Sequence, residues 1–242
     1  MARRSAGKRS STKRPARAAA PNSSIPPRQR AIGALMQLLA EHPWIEIEVS
    51  DIADRAGLTL GELRDAFSSP LAILAAQMKA IDKQVLDAGT PDDAEMTPRE
   101  RLFEVLMRRI EALAPHKEAI RSLARSARRN PPLALALNGL AVRSQHWMLT
   151  AAGISTHGPK GMIRAQGLAV MFAQVVGVWL DDDDAGLDRT MAALDRGLTS
   201  GQRWSGLLDD LMCLPDALIR RGRRHRRNRR DAETYDDDIA AA

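Results

Sequence analysis

The chain has 242 residues, with 36 Lys and Arg against 30 Asp and Glu, a net charge of +6. That length suits one large domain, or a small one joined to a larger one. Aromatic residues are only 3%, which argues against an all-β fold, and the one cysteine, Cys213, excludes an internal disulfide and fits a reducing compartment such as the cytoplasm.

Residues 1–30 hold nine Lys and Arg and no acid. The stretch 1–27 is poor in apolar residues and rich in Ser, Ala, Pro and Arg, so it reads as a disordered basic arm. It lacks the apolar run of a signal peptide. From Arg28 to Glu41 the apolar residues Ile32, Leu35, Met36 and Leu39 fall on one helical stripe, which His42-Pro43 ends. Val49 to Ala56 predicts a short second helix closed by Gly57. Thr59 to Phe67 predicts a third that opens on an N-cap threonine. A fourth follows Pro70 and carries Leu71, Leu74, Met78 and Ile81.

The polar stretch 89–98 contains two prolines and marks the best boundary; it sets a first unit at 28–82, a connector at 83–98 and a second unit at 99–215. In the second unit Leu102, Leu106, Ile110 and Leu113 repeat the helical stripe over 99–113. Further helices are expected at 115–129, 131–152, 159–180, 185–199 and 201–213. Asp181 to Asp184 is expected to cap the 185–199 helix rather than hold a cation. No segment reads as transmembrane, because Arg164, Gln166 and Gln174 interrupt the most apolar stretch. Residues 220–230 hold eight arginines, and the acidic end of the chain follows; 216–242 reads as a second disordered tail. Both basic segments would attract a polyanion such as DNA, RNA or an anionic membrane, or serve only as solubilising tails. The fold class is all-α.

Residues 49–67, VSDIADRAGLTLGELRDAF, carry the requirements of a helix-turn-helix. Ala53 is the small residue where two helices touch, and Gly57 is the turn glycine. Ile52, Ala56, Leu58, Leu63 and Phe67 supply the inner face, and Thr59 caps the second helix. With the preceding helix and the following SSPLAIL, the stretch 28–81 resembles the TetR family of bacterial regulators. The resemblance implies two helix-turn-helix units in a homodimer on double-stranded DNA, and a larger helical domain that binds a small ligand. It implies DNA contacts by Arg28, Arg30, Ser50, Thr59, Leu60 and Arg64. The sequence departs from the usual pattern at Leu60, Glu62, Arg64 and Pro70. Residues 31–70 also hold seven acids against Arg55 and Arg64, a poor balance for phosphate contact. The basic arm is expected to compensate.

The segments 108–124 and 178–198 are similar to the TetR-fold lipid-binding accessory proteins of ubiquinone biosynthesis. That resemblance implies an alternative: a lipid or quinone carrier without sequence-specific DNA binding. For a small hydrophobic ligand of unknown identity the pocket candidates are Leu106, Ile110, Trp147, Met171, Phe172, Val175 and Trp179, any of which could equally be core. The last helices carry Leu187, Met191, Leu194, Leu198, Trp204, Leu207, Leu208 and Leu211, which by resemblance pair across a two-fold axis. The five histidines show no metal-ligand spacing. No Walker loop, GxGxxG or GxSxG occurs. No cofactor, metal or catalytic residue is expected, and the chain reads as a binding protein rather than an enzyme.

Overall fold

A computed structural model describes residues 25–89 and 96–201. Nine helices and no strand occur among the described residues. They are α1 (Pro27–Glu41), α2 (Val49–Ala56), α3 (Leu60–Ala66), α4 (Pro70–Asp87), α5 (Pro98–Leu113), α6 (Lys117–Arg128), α7 (Pro131–Ala151), α8 (Gly158–Leu180) and α9, which spans 188–201. Short 3-10 turns lie at Trp44–Glu46 and Ala114–His116.

Local chemistry sets most of these boundaries. Proline stands in the first turn of α1, α4, α5, α7 and α8, where its missing N–H costs nothing. Ser69, Thr97 and Asn130 each accept a backbone N–H at the start of α4, α5 and α7. Gly57 closes α2 at φ 63°, and the Leu58 amide behind it donates to the Ala53 carbonyl at 2.9 Å. At Gly161 a Cβ would stand 2.0 Å from the Thr156 carbonyl oxygen, so only glycine lets α8 begin folded back on the 155–157 segment.

Two apolar cores form, and α4 belongs to both. The first gathers Leu35, Leu39, Ile52 and Leu63 of α1–α3 and Phe67 just after α3 with Ile73 and Leu74 of α4, and Ala119 of α6 joins it. The second gathers Ile81 and Val85 of α4 with α5, α7, α8 and α9. Burying each fully enclosed Leu or Ile contributes about 1.5–3 kcal/mol. On the stretch of α4 that belongs to the second cluster, between Ile81 and Val85, sits Asp82, paired with Arg109 of α5 inside the protein.

One expectation needs correction. The last described helix starts at 188, not 185. Residues 183–187 instead form a turn that brings Leu187 to φ 54°, and the buried Asp182 reaches across it. Its carboxylate accepts from the Thr190 amide at 2.9 Å and the Thr190 hydroxyl at 2.7 Å. The acid run does serve capping, but through one residue acting from a distance. α8 is 23 residues long with a mean hydropathy of 1.4 in its most apolar stretch, so length and composition alone would let it cross a bilayer, but one face of it packs inside the protein. Ala165, Leu168, Phe172, Val175 and Trp179 turn its inner face into the second core.

The cap on α9 makes a pH prediction. The Thr190 hydroxyl first, then the Thr190 and Asp184 amides, hold the Asp182 carboxyl below the usual carboxylate range. A carboxyl lowered on folding stabilises the protein at neutral pH, and that contribution falls away as pH drops below about 4. Asp182→Asn should therefore lower Tm at pH 7, and the gap to the parent should close as the acid limb is descended. A gap of equal size at pH 7 and at the foot of that limb would sink the assignment.

Candidate nucleic-acid interface and ligand cavity

The α2–α3 pair is built as the motif requires. Ile52, Ala53, Leu58, Leu63 and Phe67 are buried, which seats both helices on α1. Thr59 and Glu62 form a capping box: the Thr59 hydroxyl accepts the Glu62 amide at 3.2 Å, and the Glu62 carboxylate accepts the Thr59 amide at 2.7 Å. Thr59, Leu60 and Arg64 then face outward, with Leu60 59% exposed. Ser50 is exposed in the first turn of α2 and donates its hydroxyl to Glu48 at 3.3 Å.

Several charges counted against DNA contact are already engaged. The Thr59 amide and hydroxyl hold the Glu62 carboxyl below the usual carboxylate range. Asp51 caps α2 by accepting the Glu48 amide at 2.9 Å. Glu41 takes both terminal nitrogens of Arg55, at 2.9 and 2.7 Å, which lowers its carboxyl and raises Arg55. Three of the seven acids thus do structural work.

The same holds for two of the candidate DNA contacts. Arg28 donates to the Ala66 carbonyl and stacks 4.2 Å over the Phe67 ring. Arg30 donates to the Ala56 and Gly57 carbonyls at 3.1 Å each. Each therefore holds a helix end, α3 or α2, where cations meet unpaired carbonyls favourably. Arg64 remains exposed, with one donated bond to the Ser68 carbonyl at 3.1 Å.

A cavity of about 830 Å³ opens between the N-terminus of α5, α8 and α9. Of the seven pocket candidates only Met171 and Val175 line it. Leu106, Ile110, Phe172 and Trp179 are instead buried among themselves and their neighbours, and Trp147 is 56% exposed on α7. Periodicity cannot separate these cases, since a core stripe and a cavity stripe have the same spacing. The missed lining includes Arg99, Ile163, Gly167 and Gln174. No side chain fills the space above Gly167, and a glycine inside an apolar helix was the signal that could have shown it.

The dimer candidates also divide. Leu194 and Leu198 point into the chain's own core and offer nothing to a second copy. Leu187 and Met191 are partly buried. Trp204, Leu207, Leu208 and Leu211 lie outside the described residues. The large apolar side chains left exposed on α8 are Met162, Ile163 and Val170.

No protein-family model matches the chain, and no curated protein matches it. Solved structures do resemble it. A TetR transcriptional regulator from Nitrosomonas europaea superposes with a TM-score of 0.57 at 21% identity, over 74% of this chain and 99% of that one. One from Rhodococcus sp. RHA1 gives 0.51 at 20% identity, over 72% and 95%. A TetR-family regulator from Syntrophomonas wolfei gives 0.52 at 14% identity, over 74% and 94%. With the capped α2–α3 pair, the shared α4 and the larger helical body, these likenesses establish that the chain has the TetR-regulator fold.

Proposed function

We propose that the protein is a dimeric, ligand-responsive DNA-binding regulator of transcription and not an enzyme. The observation that carries this reading is the outer face of α3, where a capped helix presents Thr59, Leu60 and Arg64 to solvent over a fully packed base. A side chain such as Leu60 can meet a thymine methyl in the major groove, and Thr59 and Arg64 can reach phosphates. Two copies are needed to read a palindrome one turn of DNA apart. The exposed apolar residues of α8 are the surface for that pairing, and Ile163 and Val170 belong to it and to the cavity rim alike. A hydrophobic ligand would therefore lie beside the subunit seam. A coupling of about 1–3 kcal/mol at that seam changes operator affinity roughly 5–150-fold.

The test is a salt titration of the purified protein on its own upstream DNA beside a scrambled duplex. The expected result is specific binding that survives moderate salt and protects a short inverted repeat from nuclease. Equal binding to both duplexes, lost together as salt rises, would instead leave the basic tails as the only contact. The lipid-carrier alternative would then take over, and mass spectrometry of the purified protein should find a bound isoprenoid or quinone.

A further inference from the structure

A second groove, of about 800 Å³, lies where the first core meets the body. One wall is the connection between α1 and α2, with Trp44, Ile45 and Glu46. The other is the end of α6, with Arg125 and Arg128 in its last turn and Arg129 just after it. Two hydrogen bonds join the walls: the Trp44 amide donates to the Ser126 hydroxyl at 3.1 Å, and the Ser122 hydroxyl donates to the His42 carbonyl at 3.0 Å.

The charge on this groove is unbalanced. Positions 125, 128 and 129 adjoin one another on a helix surface, so three like charges repel there. All three are exposed, and none forms an ion pair among the described residues. Arg121, one turn earlier, is by contrast paired with Glu118. The negative end of α6 offsets part of the repulsion, but it does not require three guanidiniums over an open groove. The facing wall contributes one carboxylate not already paired, Glu46, since Glu41 is held by Arg55. It also contributes the half-buried Trp44 and the 81% exposed Ile45.

Guanidinium forks over an aromatic, partly apolar floor recognise phosphates joined to a planar ring. The groove adjoins the C-terminal end of α1, whereas α3 is tied to its other end through Arg28. Fifteen residues of helix put about 22 Å between those ends, so the groove is separate from the DNA-facing helix. We propose that it is a second ligand site, for an organic polyphosphate with a planar ring, of the nucleoside di- or triphosphate class. A bound anion would draw α6 and the connection into α2 together, across the boundary between the two cores.

The test uses the full chain labelled with 5-fluorotryptophan, with the Trp44 line assigned by Trp44→Phe. ADP, inorganic pyrophosphate and sulfate are titrated separately, without DNA, so the outcome does not depend on operator binding. ADP should shift the Trp44 line saturably and bind at least tenfold more tightly than pyrophosphate, and sulfate should not saturate. Arg125→Ser with Arg128→Ser should weaken ADP at least tenfold. Arg129→Ser alone, a single exposed substitution, should weaken it severalfold with Tm unchanged. A Trp44 line that stays still at millimolar ADP would overturn the site. Unchanged affinity in the arginine variants would do so too, because the basic tails would then be the binding element. Pyrophosphate binding as tight as ADP would overturn the ligand class.

Discussion

Replacing Arg109 by methionine is expected to cost about 3–5 kcal/mol of stability, because it strands a buried carboxylate. Arg109 is 3% exposed and pairs with Asp82, which also accepts the Ser144 hydroxyl at 2.7 Å. The cluster joins α4, α5 and α7 inside the second core. It is not fully satisfied, since Arg109 Nε has no hydrogen-bond partner. A buried pair of this kind contributes less to stability than its removal by halves suggests. Asp82→Asn should therefore be nearly as damaging as Arg109→Met, while Asp82→Leu with Arg109→Met should recover most of the loss. Urea unfolding of the three variants decides the matter. Losses below about 1 kcal/mol in both single variants would mean that water reaches the pair and that α4 is held by apolar packing alone.

Removing residues 1–24 should weaken operator binding more than any single substitution on α3. Arg28 and Arg30 are occupied at the ends of α3 and α2, and Arg55 by Glu41, so the motif itself has few free cations. The deleted segment carries seven Lys and Arg. If all seven meet phosphates, the slope of log affinity against log salt flattens by about 6, and affinity at physiological salt falls by roughly 100-fold or more. Arg64→Ala should change the slope by only about 1. An unchanged slope in the truncated protein would show that the arm does not touch DNA. The motif would then have to bind through Thr59, Leu60 and Arg64 by themselves.

Much of the fold was legible because its signals are local. The stripe of Ile32, Leu35, Met36 and Leu39 and the stop at His42-Pro43 delimit α1 within a residue. Gly57 and Thr59 bracket the turn between α2 and α3, and both act within four residues of themselves. The start of α9 was misread because its cap, Asp182, works on Thr190 across a turn that contains Gly186 and the left-handed Leu187. A helix start set by a partner eight residues away leaves no periodic trace.

The candidate sites were less legible for the same reason. An arginine in a basic run looks the same whether it meets phosphate or a helix end. Arg30 is decided by the Ala56 and Gly57 carbonyls, 26 and 27 residues further on. Leu106 and Met171 are both apolar at helical spacing, yet one is sealed in the core and the other borders a cavity. The three arginines at the end of α6 gain meaning only when Trp44, some 80 residues earlier, is seen to face them. By itself the sequence determined the helices α1 to α8 and the turn chemistry of the α2–α3 pair, since propensity and capping act over a few residues. Only the tertiary structure decided which charges are already neutralised, which apolar stripes face empty space and which helix serves two cores, because each depends on contacts between residues far apart in the chain.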